Sequence, residues 1–271
     1  QVMPEITYTW FNMEDPVVGG YTPEKIALRR AMTLGYNINE EIQVIRKGQV
    51  LAAQSPIPPG VAGYDKTFKS PTGEYNPSKA KALLDLYGYL DRDGDGYREL
   101  PDGSRLSLEI ASSPTAEYRP QDELWRKSMD AIGIRVTFNK STFSEQLKAA
   151  KVGKLQMRLS AWIADYPDAD NFLQLLYGPN TGQSNDSRFK LAAFDKLYLQ
   201  TQRMQDSPER TKLYQEMSKL MLVYAPWKLG VHRIYTHLIS PWVLGYKKHP
   251  ITLTPWKYVD IDVAKQKAAR E

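Results

Sequence analysis

A chain of 271 residues without a single cysteine can form no disulfide, no thiolate metal site and no cysteine nucleophile, yet it is long enough to bury a large core. Its 36 basic and 31 acidic residues leave a net charge of +5, spread along the chain and not gathered on one face as in a nucleic-acid binder. No apolar run approaches the roughly 18–20 residues that span a membrane. The opening "QVMPEITYTWFNME" has neither the basic nor the apolar region of a signal peptide, so the chain reads as mature or as a piece of a longer precursor.

The first element is a strand in "EITYTWFNM", where Ile6, Tyr8 and Trp10 alternate with Thr7, Thr9 and Phe11. Thr22 followed by Pro23 opens a helix through "EKIALRRAMTLGY", and Asn39 is expected to cap a second one, "EEIQVIRKG", closed by Gly48. A long Pro/Gly loop, "AAQSPIPPGVAGYDKTF", leads to a helix started by Asn76 and Pro77. The central region alternates cleanly: strand "SRLSLEIAS", helix "PQDELWRKSMDAIG", strand "IRVTFN", helix "TFSEQLKAAKVG" with the capping box Thr142-x-x-Glu145, strand "QMRLSAW". Strands and helices in alternation with short connections predict an α/β layer with parallel neighbours. Two more helices follow, the second capped by Ser207 and carrying Leu213, Met217, Leu220 and Met221 as its core stripe. The last stretch, "PWKLGVHRIYTHLISPWVLGYKKHPITLTPWKYVDI", predicts extended segments and turns, and "AKQKAARE" a frayed tail.

The stretch "YLDRDGDGYRELPDG" has the acidic spacing of a calcium loop, with Asp91, Asp93, Asp95, Tyr97 and Asp102 at the ligand positions. A helix is predicted before it but a strand after it, and the twelfth position holds Asp where a calcium loop prefers Glu. The glycines 94, 96 and 103 therefore read as turn residues and the aspartates as turn caps, and any calcium bound there would be structural. No other cofactor is expected. His232 and His237 sit five apart in one predicted strand segment, which turns them to opposite sides.

Ligands of open α/β sheets lie beyond the carboxyl ends of the strands. Two loops leave that edge: "SSPTAEYRP", with Ser113 and Tyr118, and "WIADYPDADN", with Trp162, Ile163, Asp165, Tyr166, Asp168 and Asp170. An aromatic ring beside a carboxylate suits a cationic or amphipathic ligand. Asp168 or Asp170 is expected to cap the helix "NFLQLLYG", while Asp165 lies too early to cap it.

From this loop outward the chain resembles the carboxyl-terminal half of the family 5 solute-binding proteins of ABC importers, which include dipeptide, oligopeptide and nickel binders. The stretches that carry the resemblance occur in the family's order: "ITYTWFNMEDPV", "ALRRAMTLGYNINEEI", "AQSPIPPG", "YNPSKAKALLDLYGYLDRDGDGYRELPDG", "WRKSMDAIGIRVTF", "SAWIADYPDADNFLQLLYG" and "SNDSRFKLAAFDKLYLQTQRMQ". The resemblance implies a periplasmic-binding-protein-like lobe (type II, cluster C) with a mixed central sheet flanked by helices. It divides the chain into a hinge-crossing strand (1–14), the substrate-binding second lobe (15–226), segments returning towards an absent first lobe (227–262) and a tail (263–271). It implies a non-catalytic protein of the periplasm or cell envelope. Such a protein closes on a peptide or another small solute and presents it to an ABC permease, with any membrane attachment through the transporter or a lipid anchor on the absent amino terminus. It also implies that Asp165, in Trp162-Ile163-Ala164-Asp165, pairs with the ligand's α-ammonium while Trp162 and Tyr166 line the pocket. The chain departs from the family in "YNINEE", and nothing in it matches the motifs that fix the ligand carboxylate in some members. Competing readings are a carboxylate-dependent glycoside hydrolase using Asp165 with Asp168 or Asp170, a sensing domain that feeds a chemoreceptor, and a nucleic-acid binder favoured only by the net charge.

Overall fold

The computed structural model describes residues 1–249, 251, 254 and 256–269. In chain order, strand β1 (Glu5–Phe11) precedes helix α1 (Pro23–Gly35) and the short α2 (Ile38–Glu40), which runs directly into a π-turn, Glu41–Ile45. Strand β2 (Val50–Ala52) and the long loop lead to α3 (Pro77–Leu86), started by the Asn76 side chain. Then come β3 (Ser107–Ser112), α4 (Arg119–Asp130), β4 (Arg135–Lys140), α5 (Phe143–Lys151) and β5 (Met157–Ile163). Helices α6 (Asp170–Leu173), α7 (Ala192–Thr201) and α8 (Pro208–Tyr224) precede β6 (Trp227–Leu229) and β7 (Val231–Arg233). The chain closes with β8 (Val243–Leu244), β9 (Asp260–Ile261) and α9 (Val263–Ala268).

Five strands form the central sheet in the order β4-β3-β5-β1-β6. β3 runs parallel to β4 and β5, as the alternating pattern predicts, but β1 enters antiparallel between β5 and β6, so the sheet is mixed. Both faces of β1 are buried along its whole length. Ile6, Tyr8 and Trp10 pack with Trp227 and Leu229 against Phe172, Phe194, Met217 and Met221 of α6–α8. Phe11, Leu108, Ile110 and Met157 pack on the opposite face against Leu28, Met32, Leu84, Leu124, Trp125 and Met129 of α1, α3 and α4. Each such side chain contributes roughly 1.5–3 kcal/mol on burial. The sheet is thus a shared floor with a separate core on either side.

Four sequence expectations change. The second helix is capped by Asn37, whose Oδ1 accepts from Glu40 N at 3.1 Å, while Asn39 faces solvent. Widening to the π-turn is marked by the bond from Arg46 N to Glu41 O, and it places the Glu41 carboxylate under the Tyr36 hydroxyl. The tail is not frayed through residue 268: Asp262 caps α9 through Lys265 N, and residues 270 and 271 lie outside the described ones. β7 ends at Arg233, so only His232 is in a strand; it meets Glu5 O through Nδ1, and His237 lies beyond, against Tyr246. In α8 the fully buried stripe is Tyr214, Met217, Met221 and Leu222, with Leu213 and Leu220 half-buried.

A buried arginine ties the layers together. α8 ends on Ala225, which takes a left-handed conformation (φ 50°, ψ 50°) that disfavours residues other than glycine. Arg29 of α1, fully buried, donates to Tyr224 O, Ala225 O and Val18 O. One guanidinium therefore satisfies the last carbonyls of α8 and the loop after β1. Replacing Arg29 with Met strands those carbonyls, and urea unfolding should show a loss of about 2–4 kcal/mol. An unchanged midpoint contradicts this role.

Candidate functional site

The site begins with a mismatch in strand length. β5 pairs with β3 only at Met157 and Arg158, because β3 stops at Ser112 and its chain turns away into α4. β5 continues to Ile163 with β1 as its only neighbour among the described residues. Pairing alternates along an antiparallel ladder. Ala164 N bonds to Pro4 O on the β1 side, so Ala161 and Ile163 turn their N–H and C=O groups the other way, into the empty lane. A cavity of about 1230 Å³ fills the space beside this edge, with Ser160, Ala161 and Trp162 along its floor. Its walls are Phe143 and Leu147 of α5, Tyr118 and Gln121 before and on α4, Val44–Lys47 from the π-turn, and Arg233.

Of the residues singled out in the sequence, Trp162 and Tyr118 line this cavity. Ser113 borders a side pocket of about 60 Å³ that Tyr118 shares, and its hydroxyl meets Thr115 Oγ1 at 3.2 Å. Ile163 lies at the end of the lane. Asp165 and Tyr166 are exposed beyond it and outside the cavity lining. The organiser of this loop is Asn171, which the sequence reading did not mark. It is 1% exposed; its Oδ1 accepts from Trp162 Nε1 (3.0 Å) and Asp165 N (3.1 Å), and its Nδ2 donates to Asp165 Oδ2 (3.1 Å). One amide thus fixes both the ring and the carboxylate.

The other two acids of the loop do different work. Asp168 accepts from Asp170 N and from Tyr214 Oη, and pairs with Arg210, tying the start of α6 to α8. These donors outweigh burial and hold its carboxyl below the ordinary range. Asp170 accepts from Tyr166 Oη and Gln202 Nε2, and burial raises its pKa. The cap expected from one of them is not formed: α6 starts from Ala169 without a side-chain cap, and Asp168 accepts from Asp170 N just ahead of it.

A polar network supports the cavity lip. Glu41 accepts from Tyr36 Oη (2.9 Å) and pairs with Arg46 on the cavity wall, while Gln121 bonds to the same hydroxyl. Beneath them Lys228 of β6 is 4% exposed, its Nζ 3.7 Å from the Tyr36 ring centroid and 3.3 Å from Leu229 O. Burial lowers its pKa to about 8, against a smaller opposing pull from Glu41. Burial also pushes the Tyr36 hydroxyl well up. No sequence spacing marks this group, because its members come from four elements.

The acidic loop is a corner. The carboxylates that approach one another are Asp91, Asp93, Asp95 and Glu99, within 4.8 Å. Asp102 is not part of that group: the bridge between Glu99 and Arg105 turns the chain early, and Asp102 caps Ser104. The cluster's oxygens already serve the turn. Asp91 accepts from Gly94 N and Gly96 N, Asp93 from Asp95 N and Glu99 from Arg92 N, and Asp95 pairs with Arg135.

Residues 2–184 match the model of the bacterial extracellular solute-binding proteins, family 5 Middle. The chain is 28% identical over 238 residues to the di/tripeptide-binding protein 2 of Pseudomonas aeruginosa, covering 87% of this chain and 42% of that protein. It is 27% identical to the heme-binding protein A of Haemophilus influenzae, covering 95% and 44%. Its fold matches a dipeptide-binding protein from Pseudoalteromonas in complex with Met-Leu (TM-score 0.78, 20% identity, 97% and 49% covered). It also matches the Bacillus subtilis oligopeptide-binding protein in complex with a nonapeptide (TM-score 0.78, 19% identity, 93% and 49%). The chain spans less than half the length of these proteins.

The lip network gives a pH test. Folded Lys228 releases its proton near pH 8, against an ordinary value of 10.5. Between those values the unfolded chain holds more protons, so the cost of the buried charge, full below pH 8, is relieved as pH rises towards 10.5. Relative to Lys228→Met, the unfolding free energy of the unaltered protein should rise by roughly 2–3 kcal/mol from pH 8 to 10.5. Parallel pH curves for the two proteins contradict the assignment.

Proposed function

Because the chain belongs to the family 5 bacterial extracellular solute-binding proteins and spans less than half the length of its relatives, we propose that it is one lobe of a two-lobed protein that captures a peptide for an ABC permease. The observation that carries this reading is the open edge of β5 facing a large cavity. An unpaired strand edge is a template for another extended chain. A peptide laid in the vacated lane completes the sheet through main-chain bonds to Ala161 and Ile163, which bind peptides of many sequences. Its side chains alternate between the Trp162 floor and the opposite wall.

In this reading Asp165, held by Asn171 at the end of the lane, receives the α-ammonium of the peptide, and a second lobe covers the cavity by hinge closure. Residues 1–14 and 227–262 carry the connections towards that lobe. The complete protein works in the periplasm or cell envelope. The hydrolase alternative loses its acid pair: Asp168 is committed to Arg210 and Tyr214, Asp170 to Tyr166 and Gln202, and none of the three lines the cavity.

In the full-length protein, Asp165→Ala should weaken peptide binding by about 1.5–3 kcal/mol, the loss of one sheltered charged bond. Unchanged affinity by titration calorimetry contradicts the assignment of the ammonium site.

A further inference from the structure

The loop that carries Asp165 is clamped at both ends. At its start Ala164 N donates to Pro4 O, which keeps the chain in register with β1. At its far end Asp168 is held by Arg210 and Tyr214 of α8 and bridges Ala62 in parallel, while Ala169, Phe172 and Leu173 are sunk in the core. Between these clamps Asp165, Tyr166 and Pro167 are exposed. An exposed side chain on such a bight is free to turn unless something holds it.

For Asp165 that hold comes from Asn171, which is buried and lies outside the cavity lining. Its Oδ1 accepts from Trp162 Nε1 and from Asp165 N, one donor for each of its two lone pairs. Its Nδ2 donates to Asp165 Oδ2. Asp165 Oδ1 meets no donor among the described residues, so one oxygen of the carboxylate is fixed from below and the other is left open. The ring on the cavity floor and the carboxylate at the end of the lane therefore share one amide. Rotating that amide to follow either of them breaks its bond to the other.

Resting on the ammonium assignment above, we infer that Asn171 is a positioning residue for ligand capture, which sets the Asp165 carboxylate and the Trp162 ring in one fixed relation before the peptide arrives. It touches no ligand atom. Its contribution to affinity passes through Asp165, because ordering that exposed carboxylate at the moment of binding would otherwise oppose association. The relation also runs the other way. A cation that draws on Asp165 Oδ1 changes the charge felt at the Asn171 amide, so the buried amide senses whether the amino end of the lane is occupied.

The test is titration calorimetry of the full-length protein with trialanine, free and N-acetylated, on Asn171→Ala, Asp165→Ala and the double variant. Asn171→Ala should weaken binding of the free-amine peptide roughly three- to thirtyfold. In the Asp165→Ala background the same change should cost less than about twofold, because the carboxylate it serves is gone. A merely structural role would lower affinity by the same factor in both backgrounds, and that result overturns the proposal. If Asn171→Ala does not unfold cooperatively, nuclear magnetic resonance of the unaltered protein decides. The Asn171 Nδ2 resonance should shift on saturation with free trialanine and stay in place with the acetylated form. A resonance that stays in place with both, or moves equally with both, overturns the proposal. Equal affinities for the two peptides in the unaltered protein overturn the ammonium assignment and this proposal with it, and failure of every peptide to bind overturns the transport reading as well.

Discussion

β5 extends five residues past its last pairing with β3, and the walls of the cavity are arranged around that unpaired edge. The other edge of β5 is fully engaged, residue for residue, by β1. A strand held on one side and open on the other is a liability in most sheets, because it invites association with any passing chain. Here α5, the π-turn and the loop before α4 stand around the opening, so that edge faces a confined space. The early end of β3 depends on the chain turning at Ser112, whose hydroxyl is tied to Asp122 on α4.

The buried charges of the molecule fall into two groups by what they touch. Arg29 meets three carbonyls and joins α1 to the end of α8. Lys228 lies against an aromatic ring below the Glu41 carboxylate and supports the lip from inside the sheet. Each is answered within the fold. Arg158 bonds to Gln146 and Ser160, feels the Asp186 carboxylate, and borders the cavity.

Local signals in the sequence translated well. Pro at the first turn of α1, α3 and α8, the Asn76 and Ser207 caps and the Thr142–Glu145 box are decided within a few residues, and each stands where the pattern puts it. Asn37 displaced Asn39 as a cap because the π-turn shifts the helix start towards Tyr36, a choice fixed by the buried Glu41. The position of β1 between β5 and β6 depends on partners more than 140 residues away, which periodicity does not reveal. The same limit applies at the site. Trp162 and Tyr118 could be named from their loops, but Asn171 and Arg158 draw their meaning from contacts that only folding creates. At the acidic loop Asp91, Asp93 and Asp95 converge as their spacing suggests, while the bridge at Glu99 brings that carboxylate into the group in place of Asp102.

The central claim is that the open edge of β5 receives an extended ligand as an added strand. Amide hydrogen exchange of the full-length protein, measured at Ala161 and Ile163 with and without a bound peptide, tests it most directly. Strand addition predicts at least tenfold slower exchange at these two amides, with little change at Ser160 and Trp162, which already bond to β1. Equal exchange at Ala161 in the free and peptide-bound protein would contradict it.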